Sequence, residues 1–173
     1  MAKPVRTGCR RASVFVVGLV LAIGVMAARS QTANLATHPT AAFTFDDVTS
    51  NGTHVWALWS DPGSWHCWDP SVESVAMEGH FAEGAMGTMV LTGGIEVPVT
   101  LELVEPGARY LDRLEMGDLR IHIDHVVKDA AAGGAEVTVS TYVTGPGAED
   151  IGPMVTADAP KAMDALCAMA EGR

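Results

Sequence analysis

His125 is the residue of this sequence whose position best suits chemistry in an apolar site. In the segment 119–127 it has the same alternation parity as Ile121 and Ile123, so a strand here would point the imidazole into the interior. A buried imidazole needs a hydrogen-bond partner or a chemical role. It could donate to a ligand or act as a general acid or base on a carbonyl. Alternatively, it is a structural histidine bonded to a neighbouring hydroxyl such as that of Thr141.

Aromatic residues add further candidate ligand contacts. Trp65 and Trp68 could line the mouth of a cavity and stack on a ring-shaped ligand, although aromatic residues on short helices also serve simply as packing. Tyr110 could supply a phenol, but its alternation with Asp112 leaves the direction of the side chain open. The candidate ligand contacts are therefore Trp65, Trp68, Tyr110, His125 and Thr141.

Other kinds of chemistry lack the residues that they need. The sequence has no glycine-flanked serine of the nucleophile-elbow type and no phosphate-cradling glycine loop, which argues against hydrolysis and phosphoryl transfer. His122 and Asp124 have the opposite parity to His125 and are expected to face solvent, so these three residues do not converge on a metal. Cys67 and Cys167 are too far apart in sequence to indicate a zinc site. We therefore expect neither a metal nor another cofactor.

Charge is distributed unevenly along the chain. Five of the 11 Lys and Arg residues precede residue 30, whereas all 21 acidic residues follow residue 45, so the remainder has six basic against 21 acidic residues, a net charge of −15. A phosphate backbone is bound by clustered Lys and Arg, and the six remaining basic residues form no such run. The sequence therefore argues against a nucleic acid partner. It gives no indication of oligomeric state.

The N-terminal segment has the layout of an export signal. Residues 1–11 are basic, and residues 12–28 form an uninterrupted run of 17 apolar or small residues flanked by Arg11 and Arg29. This run is shorter than the roughly 20 residues that cross a bilayer, but an uncleaved anchor stays open. We predict a signal peptide or N-terminal membrane anchor at 1–33 and a linker at 34–42. The rest of the chain would be secreted, periplasmic or at the cell surface, with the membrane touched only through an uncleaved leader.

The hydrophobic pattern of the remainder predicts an α+β domain. Residues 43–46 alternate as a first strand, and two short helices follow, the first carrying Val55 and Trp59 and the second spanning 65–68. Six strand-like runs broken by glycines then extend from 72 to 144. Residues 149–171 switch to a helical period with Pro160 inside, so we expect one long helix with a kink at 156–160. Such a helix could cover one face of a curved sheet and leave a ligand site between them.

Several strings in this part of the chain are similar to those of the SRPBCC superfamily. They are VWALWSDPGSWHCWDPSVESV at 55–75, IDHVV at 123–127, TGP at 144–146 and DAPKAMDALCAMAE at 158–171. The superfamily includes polyketide cyclase/dehydrase-like proteins, START lipid-transfer domains and the major birch pollen allergen. The resemblance implies a helix-grip fold over 43–172, with a seven-stranded antiparallel sheet wrapped around the long C-terminal helix and two short helices between strands 1 and 2.

The resemblance also implies an internal cavity for a small hydrophobic ligand of the lipid, polyketide-like or aromatic type. The alternative is a cyclase or dehydratase that uses His125 as acid or base, with Tyr110 or Thr141 orienting a carbonyl. Similar proteins often carry a polar residue where Val139 stands, so a binding or carrier role is favoured. A third interpretation is an interaction domain with a filled core, which a cavity below about 300 Å³ would favour.

Cys67 and Cys167 form a disulfide candidate. They are the even pair that remains after the leader, and an exported domain meets an oxidising compartment. The alternative is two buried thiols. In the implied fold the end of the last helix lies near the short helices, which makes the bridge sterically credible.

Overall fold

A single antiparallel sheet and two C-terminal helices make up most of the computed structural model, which describes residues 38–48, 52–130 and 133–172. The predicted leader lies outside these residues. Among the described residues, no helix is both long enough and apolar enough to span a membrane. The elements in chain order are β1 (Ala41–Val48), α1 (Gly52–Trp59), a 3-10 turn (Pro62–Cys67), β2 (Val72–Met77), β3 (Met86–Leu91), β4 (Ile95–Glu105), β5 (Arg109–Met116), β6 (Leu119–Asp129), β7 (Ala135–Thr144), α2 (Ala148–Val155) and α3 (Ala159–Ala170).

The sheet contains seven strands in the order β1-β7-β6-β5-β4-β3-β2. From β2 to β7 each strand pairs with the next one along the chain, and β1 closes the other edge by pairing with β7. At the β3–β4 turn Gly93 and Gly94 both have positive φ, 89° and 74°, which glycine adopts without a steric penalty and which tight hairpins require. The predicted α+β fold, with an antiparallel sheet and a C-terminal helical segment, is confirmed.

The C-terminal helix differs from the prediction, because it is broken rather than kinked. Residues 156–158 separate α2 from α3, and Pro160 lies in the first turn of α3. Proline is tolerated there because the first-turn N–H groups have no partner within the helix, whereas further along it would remove a hydrogen bond. One of the two predicted short helices is likewise a 3-10 turn, which begins at Pro62.

The core lies between the inner face of the sheet and one side of α3. The buried residues of this helix follow a spacing of three and four, which places them on one stripe, and they are Ala162, Met163, Leu166, Cys167 and Ala170. On the sheet the buried positions alternate, as Val137, Val139 and Thr141 do along β7. Leu166 is fully buried in the same apolar cluster, a contribution of about 1.5–3 kcal/mol to stability.

Two glycines mark close approaches between elements, one between α2 and the segment before β1 and one between two strands of the sheet. A Cβ on Gly152 of α2 would lie 2.5 Å from Cγ2 of Thr40. Thr40 is itself fixed to β7, since its N–H donates to the Thr141 carbonyl oxygen at 2.7 Å and its hydroxyl accepts from the Val143 N–H at 3.0 Å. In β3, a Cβ on Gly87 would lie 2.3 Å from the carbonyl oxygen of Ala76 in β2. Both positions therefore require glycine for packing.

Candidate functional site

A cavity of about 200 Å³ lies between the inner face of the sheet and the C-terminal helices. Strands β3, β5, β6 and β7, the 3-10 turn and the segment after it, and the region around the α2–α3 break supply its walls. The structure places all five predicted ligand contacts in this lining: Trp65, Trp68, Tyr110, His125 and Thr141. Their role in binding stays a prediction.

Tyr110 is the centre of an aromatic cluster on one side of the cavity. It is a direct cross-strand neighbour of His125, and the two rings stack with centroids 4.0 Å apart and planes 5° apart. Trp65 stacks on Tyr110 at 6.0 Å, and Trp59 meets the rings of Tyr110 and His125 edge-on at 5.6 Å and 5.4 Å. The side-chain direction of Tyr110, which its sequence pattern left open, is therefore inward. Rings held from several sides form a rigid wall.

His125 is buried, with 7% of its surface exposed, and its only hydrogen bond among the described residues joins Nδ1 to the Ile123 carbonyl oxygen at 3.2 Å. Because a carbonyl oxygen can only accept, Nδ1 carries the proton and Nε2 is an acceptor. Burial lowers the pKa of His125 to about 3. The imidazole is therefore neutral near pH 7, and its partner is a backbone carbonyl rather than the expected hydroxyl of Thr141.

Asp112 is a site residue that the sequence analysis did not select. It lies two residues after Tyr110 on the same face of β5, lines the cavity, and is 2% exposed. Burial raises the pKa of Asp112 to about 8, against the lowering effect of backbone hydrogen bonds, and the nearby Asp69 carboxylate raises it further. Its Oδ1 atom has no hydrogen-bond partner among the described residues. The parity that it shares with Tyr110 and Leu114 was the signal that could have found it.

Two indole N–H groups in the lining are also unpaired within the described part of the chain. Trp65 donates its Nε1–H to the Trp59 carbonyl oxygen at 2.9 Å, but Nε1 of Trp59 and of Trp68 have no such partner. A buried polar group without a partner costs about 1–3 kcal/mol, and such groups are rare in folded proteins. Together with Oδ1 of Asp112, they place two unpaired donors and one unpaired carboxyl oxygen on side chains that line the cavity.

The rim of the cavity is formed by the end of α2 and the break that follows it. Met154 is 71% exposed and Val155 is also exposed, although both line the cavity. Asp158, in the break, is exposed and accepts a hydrogen bond from Lys161 at 2.9 Å. Exposed lining residues therefore lie next to the interruption of the C-terminal helix, where the cavity reaches the surface.

The candidate disulfide is not present between the two described cysteines. Cys67 is exposed on the 3-10 turn, with its sulfur 3.5 Å from Nε2 of the adjacent His66, whereas Cys167 is buried in the core stripe of α3. One side chain faces solvent and the other faces the interior, so the predicted bridge is wrong for this structure. The alternative of two buried thiols holds only for Cys167.

His122 lies on the outer face of the sheet, opposite to His125. We expected it to face solvent, but it is buried. It is 8% exposed, and its Nε2 lies 3.4 Å from Oε2 of Glu102, whose other oxygen, Oε1, accepts a hydrogen bond from Arg113. Burial lowers the pKa of His122. Nearby, Arg109 forms a bidentate pair with Asp124 at 2.8 and 3.0 Å. No three His, Cys, Asp or Glu side chains within the described ranges are grouped so that they could hold a metal ion.

No family model and no curated protein matches the chain. Solved structures do match. Ara h 8.0201 is 14% identical, with 77% of this chain and 100% of that chain covered and a TM-score of 0.60. A protein from Rhodobacter sphaeroides is 16% identical over 80% of this chain and 97% of its own, with a TM-score of 0.61. Norcoclaurine synthase from Thalictrum flavum, solved in complex with dopamine and hydroxybenzaldehyde, is 15% identical over 77% of this chain and 86% of its own, with a TM-score of 0.58.

These similarities define the class of fold. The chain has the helix-grip fold of these solved structures, which confirms the fold that the sequence resemblance implied. At such low identity the similarity carries no activity or ligand to this chain.

Proposed function

We propose that this protein is a binding or carrier module for one compact molecule that is largely apolar but has a polar group, such as a substituted single-ring compound. The observation that carries the proposal is an aromatic-lined cavity that retains three unpaired buried polar atoms, on Trp59, Trp68 and Asp112. An apolar cavity with a few polar groups that fix orientation is the usual construction of a small-molecule site. The neighbouring norcoclaurine synthase structure, with two single-ring compounds bound, supports a ligand of this size.

The cavity volume limits the ligand. At about 200 Å³ the space is below the 300–1,000 Å³ typical of drug-sized ligands, but an apolar cavity of about 150 Å³ can bind benzene. A lipid with long chains or a polyketide-like molecule with several rings would not fit without movement of the α2–α3 cover. Of the three ligand types expected from the sequence, namely lipid, polyketide-like and aromatic, we therefore favour the aromatic type.

The small volume of the cavity favours the interpretation that this domain has a filled core. The polar groups in the cavity lining argue against it. A core that simply packs shut pairs its buried polar groups or uses apolar residues instead. Here Asp112 brings a carboxyl group into an apolar wall and leaves one of its oxygens unpaired. A ligand with a polar atom would supply the missing partner, so we favour binding.

The enzymatic alternative with His125 as acid or base has less support. Efficient proton transfer needs a group whose pKa lies near the working pH, whereas burial lowers the pKa of His125 to about 3. The stack with Tyr110 and the bond to Ile123 instead give the imidazole a fixed structural position.

Titration of the purified protein with alkylbenzenes, followed by intrinsic tryptophan fluorescence, tests the proposal. Val139→Phe adds a ring to the cavity lining, and we expect it to weaken binding by roughly tenfold or more because it occupies the space of the ligand. Val126→Phe, on the outer face of β6, is the matched control and should bind normally. Failure of every single-ring compound to bind, or binding that Val139→Phe leaves unchanged, would contradict the proposal. Native mass spectrometry of gently purified protein would identify a retained ligand.

We also propose that the domain acts outside the cytoplasm, either released or held by its leader. The basic and apolar pattern of residues 1–28 supports this location, and so does the strongly acidic remainder, which suits a soluble exported domain. Fractionation of cells that produce the protein into medium, periplasm, membrane and cytoplasm provides a test. Recovery from the medium or the periplasm, or from the membrane in a form that protease digests from the outer side, is expected, and recovery from the cytoplasmic fraction would refute this location.

A further inference from the structure

We propose that the ligand of this cavity is a small arylalkyl amine, whose ammonium group pairs with the carboxylate of Asp112 while its ring lies against the aromatic wall. This inference rests on the proposed binding function and specifies the chemistry of the ligand. Three features of the cavity lining support it: the sign of its ionisable side chains, the unpaired oxygen of Asp112, and its aromatic rings.

The charged side chains of the lining are all acidic. Asp69, Asp112 and Asp158 line the cavity, and no Lys or Arg does so in the described part of the chain. His125 is neutral. An anionic ligand would therefore meet carboxyl groups and no cationic side chain, and the large negative charge of the protein would also repel it. A cation is attracted by the same groups.

Asp112 offers the cation a partner inside the cavity. Its side chain is almost completely buried, and Oδ1 has no hydrogen-bond partner among the described residues. Oδ1 of Asp69 is already bonded, since it accepts from both the N–H and the hydroxyl of Ser71, at 2.8 and 2.6 Å. Asp158, at the rim, is bonded to Lys161. An ammonium group provides three donors, so one can bond Oδ1 of Asp112 and the others can reach neighbouring acceptors.

The walls also favour a cation attached to a ring. The lining contains four aromatic rings, and the face of an aromatic ring attracts a cation. These rings belong to Trp59, Trp65, Trp68 and Tyr110. A volume of about 200 Å³ admits one ring with a short chain. The chemical class that satisfies both the size and the charge is an arylalkyl amine.

Binding should be coupled to release of a proton. In the empty cavity Asp112 is mostly protonated near pH 7, because burial raises its pKa to about 8, with Asp69 and Glu102 adding to the effect. Tyr110 stays protonated, since burial raises the pKa of its phenol well above the usual value, and His125 stays neutral. When the ammonium ion binds, the proton of the Asp112 carboxyl passes to solvent and the carboxylate remains as the counter-ion.

Calorimetric titration with 2-phenylethylamine, and with propylbenzene as the neutral analogue of the same shape, tests the inference. The carboxylate fraction of Asp112 rises from about 1% at pH 6 to about half at pH 8, so the affinity for the amine should increase about 50-fold over this range. The affinity for propylbenzene should not change. At pH 7 in buffers of different ionisation enthalpy, about 0.9 proton should be released per amine bound.

Two variants separate the amine site from the fold. Asp112→Asn should lower the ratio of the 2-phenylethylamine affinity to the propylbenzene affinity at pH 8 by roughly tenfold or more, and a cooperative urea unfolding transition shows that the variant is folded. Asp118 is an exposed residue of the β5–β6 turn, and Asp118→Asn should change neither the affinity for 2-phenylethylamine nor that for propylbenzene. The amine inference would be overturned if propylbenzene bound as tightly as the amine at pH 8, or if Asp112→Asn did not lower the ratio of the amine affinity to the propylbenzene affinity. Either result would leave the proposed binding function intact. Failure of both compounds to bind would overturn both the inference and the proposed binding function.

Discussion

Replacing Asp112 with Asn should change how the stability of the ligand-free protein depends on pH. In the folded state burial raises the pKa of Asp112 from 3.8 to about 8, so between these pH values the folded protein holds a proton that the unfolded chain has lost. Stability then falls as pH rises, by about 1.4 kcal/mol per pH unit for this one group. Asn cannot ionise, so the variant does not lose this stability.

The size of the effect is the difference in the free energy of unfolding between the wild type and Asp112→Asn. From pH 5 to pH 8, close to three pH units, the Asn variant should gain about 4 kcal/mol of stability relative to the wild type. Other titrating groups, His125 included, are present in both proteins and cancel in the difference.

Urea unfolding at pH 5, 6, 7 and 8 at constant salt, followed by tryptophan fluorescence, measures the two free energies of unfolding. Asp118→Asn serves as the control, because it makes the same chemical change at an exposed residue of the β5–β6 turn. If the curves of the wild type and Asp112→Asn stay parallel, Asp112 ionises as it would in water, and the account of this site is refuted.

Three further perturbations have defined outcomes. His125→Gln should lose less stability than the wild type on acidification from pH 6.5 to pH 4, since the folded pKa of about 3 makes protonation favour the unfolded chain; urea unfolding at both pH values checks this. Leu166→Ala should cost about 2–5 kcal/mol because its side chain is fully buried, whereas Met169→Ala, partly exposed, should cost far less in the same assay. Gly87→Ala should lower the melting temperature much more than Gly63→Ala. The new methyl group at 87 would lie 2.3 Å from a backbone oxygen of β2, whereas the one at 63 would lie 3.4 Å from a carboxylate oxygen. Equal melting temperatures for the two variants would contradict the packing described for β3.

Local pattern was sufficient to predict most of the fold. Alternation along a strand determines which face a side chain occupies, so the parity of His125 with Ile121 and Ile123 correctly predicted an inward imidazole. The same rule applied to Asp112 would have placed it in the cavity, but acidic residues are rarely buried, and that expectation obscured the pattern. The break before Pro160 was predicted only as a kink, because a proline marks the position of a disturbance better than its extent.

Other features depend on distances that the sequence does not encode locally. The volume of the cavity is set by how closely α3 approaches the sheet, and the side-chain direction of Cys167 is set by the stripe of α3 that faces the core. The partner of His125 is a backbone carbonyl two residues away, which no pattern of side chains indicates. Burial of His122 on the outer face likewise depends on its neighbours on other strands, Glu102 and Arg113.

A crystal structure of the protein soaked with propylbenzene tests most directly whether this cavity binds a small molecule. We predict density for one ring between Tyr110 and Met163, which line the cavity from the sheet and from α3, and no such density in crystals of Val139→Phe. An empty cavity in wild-type crystals at a saturating concentration, or density confined to the exposed rim at Met154, would contradict the account.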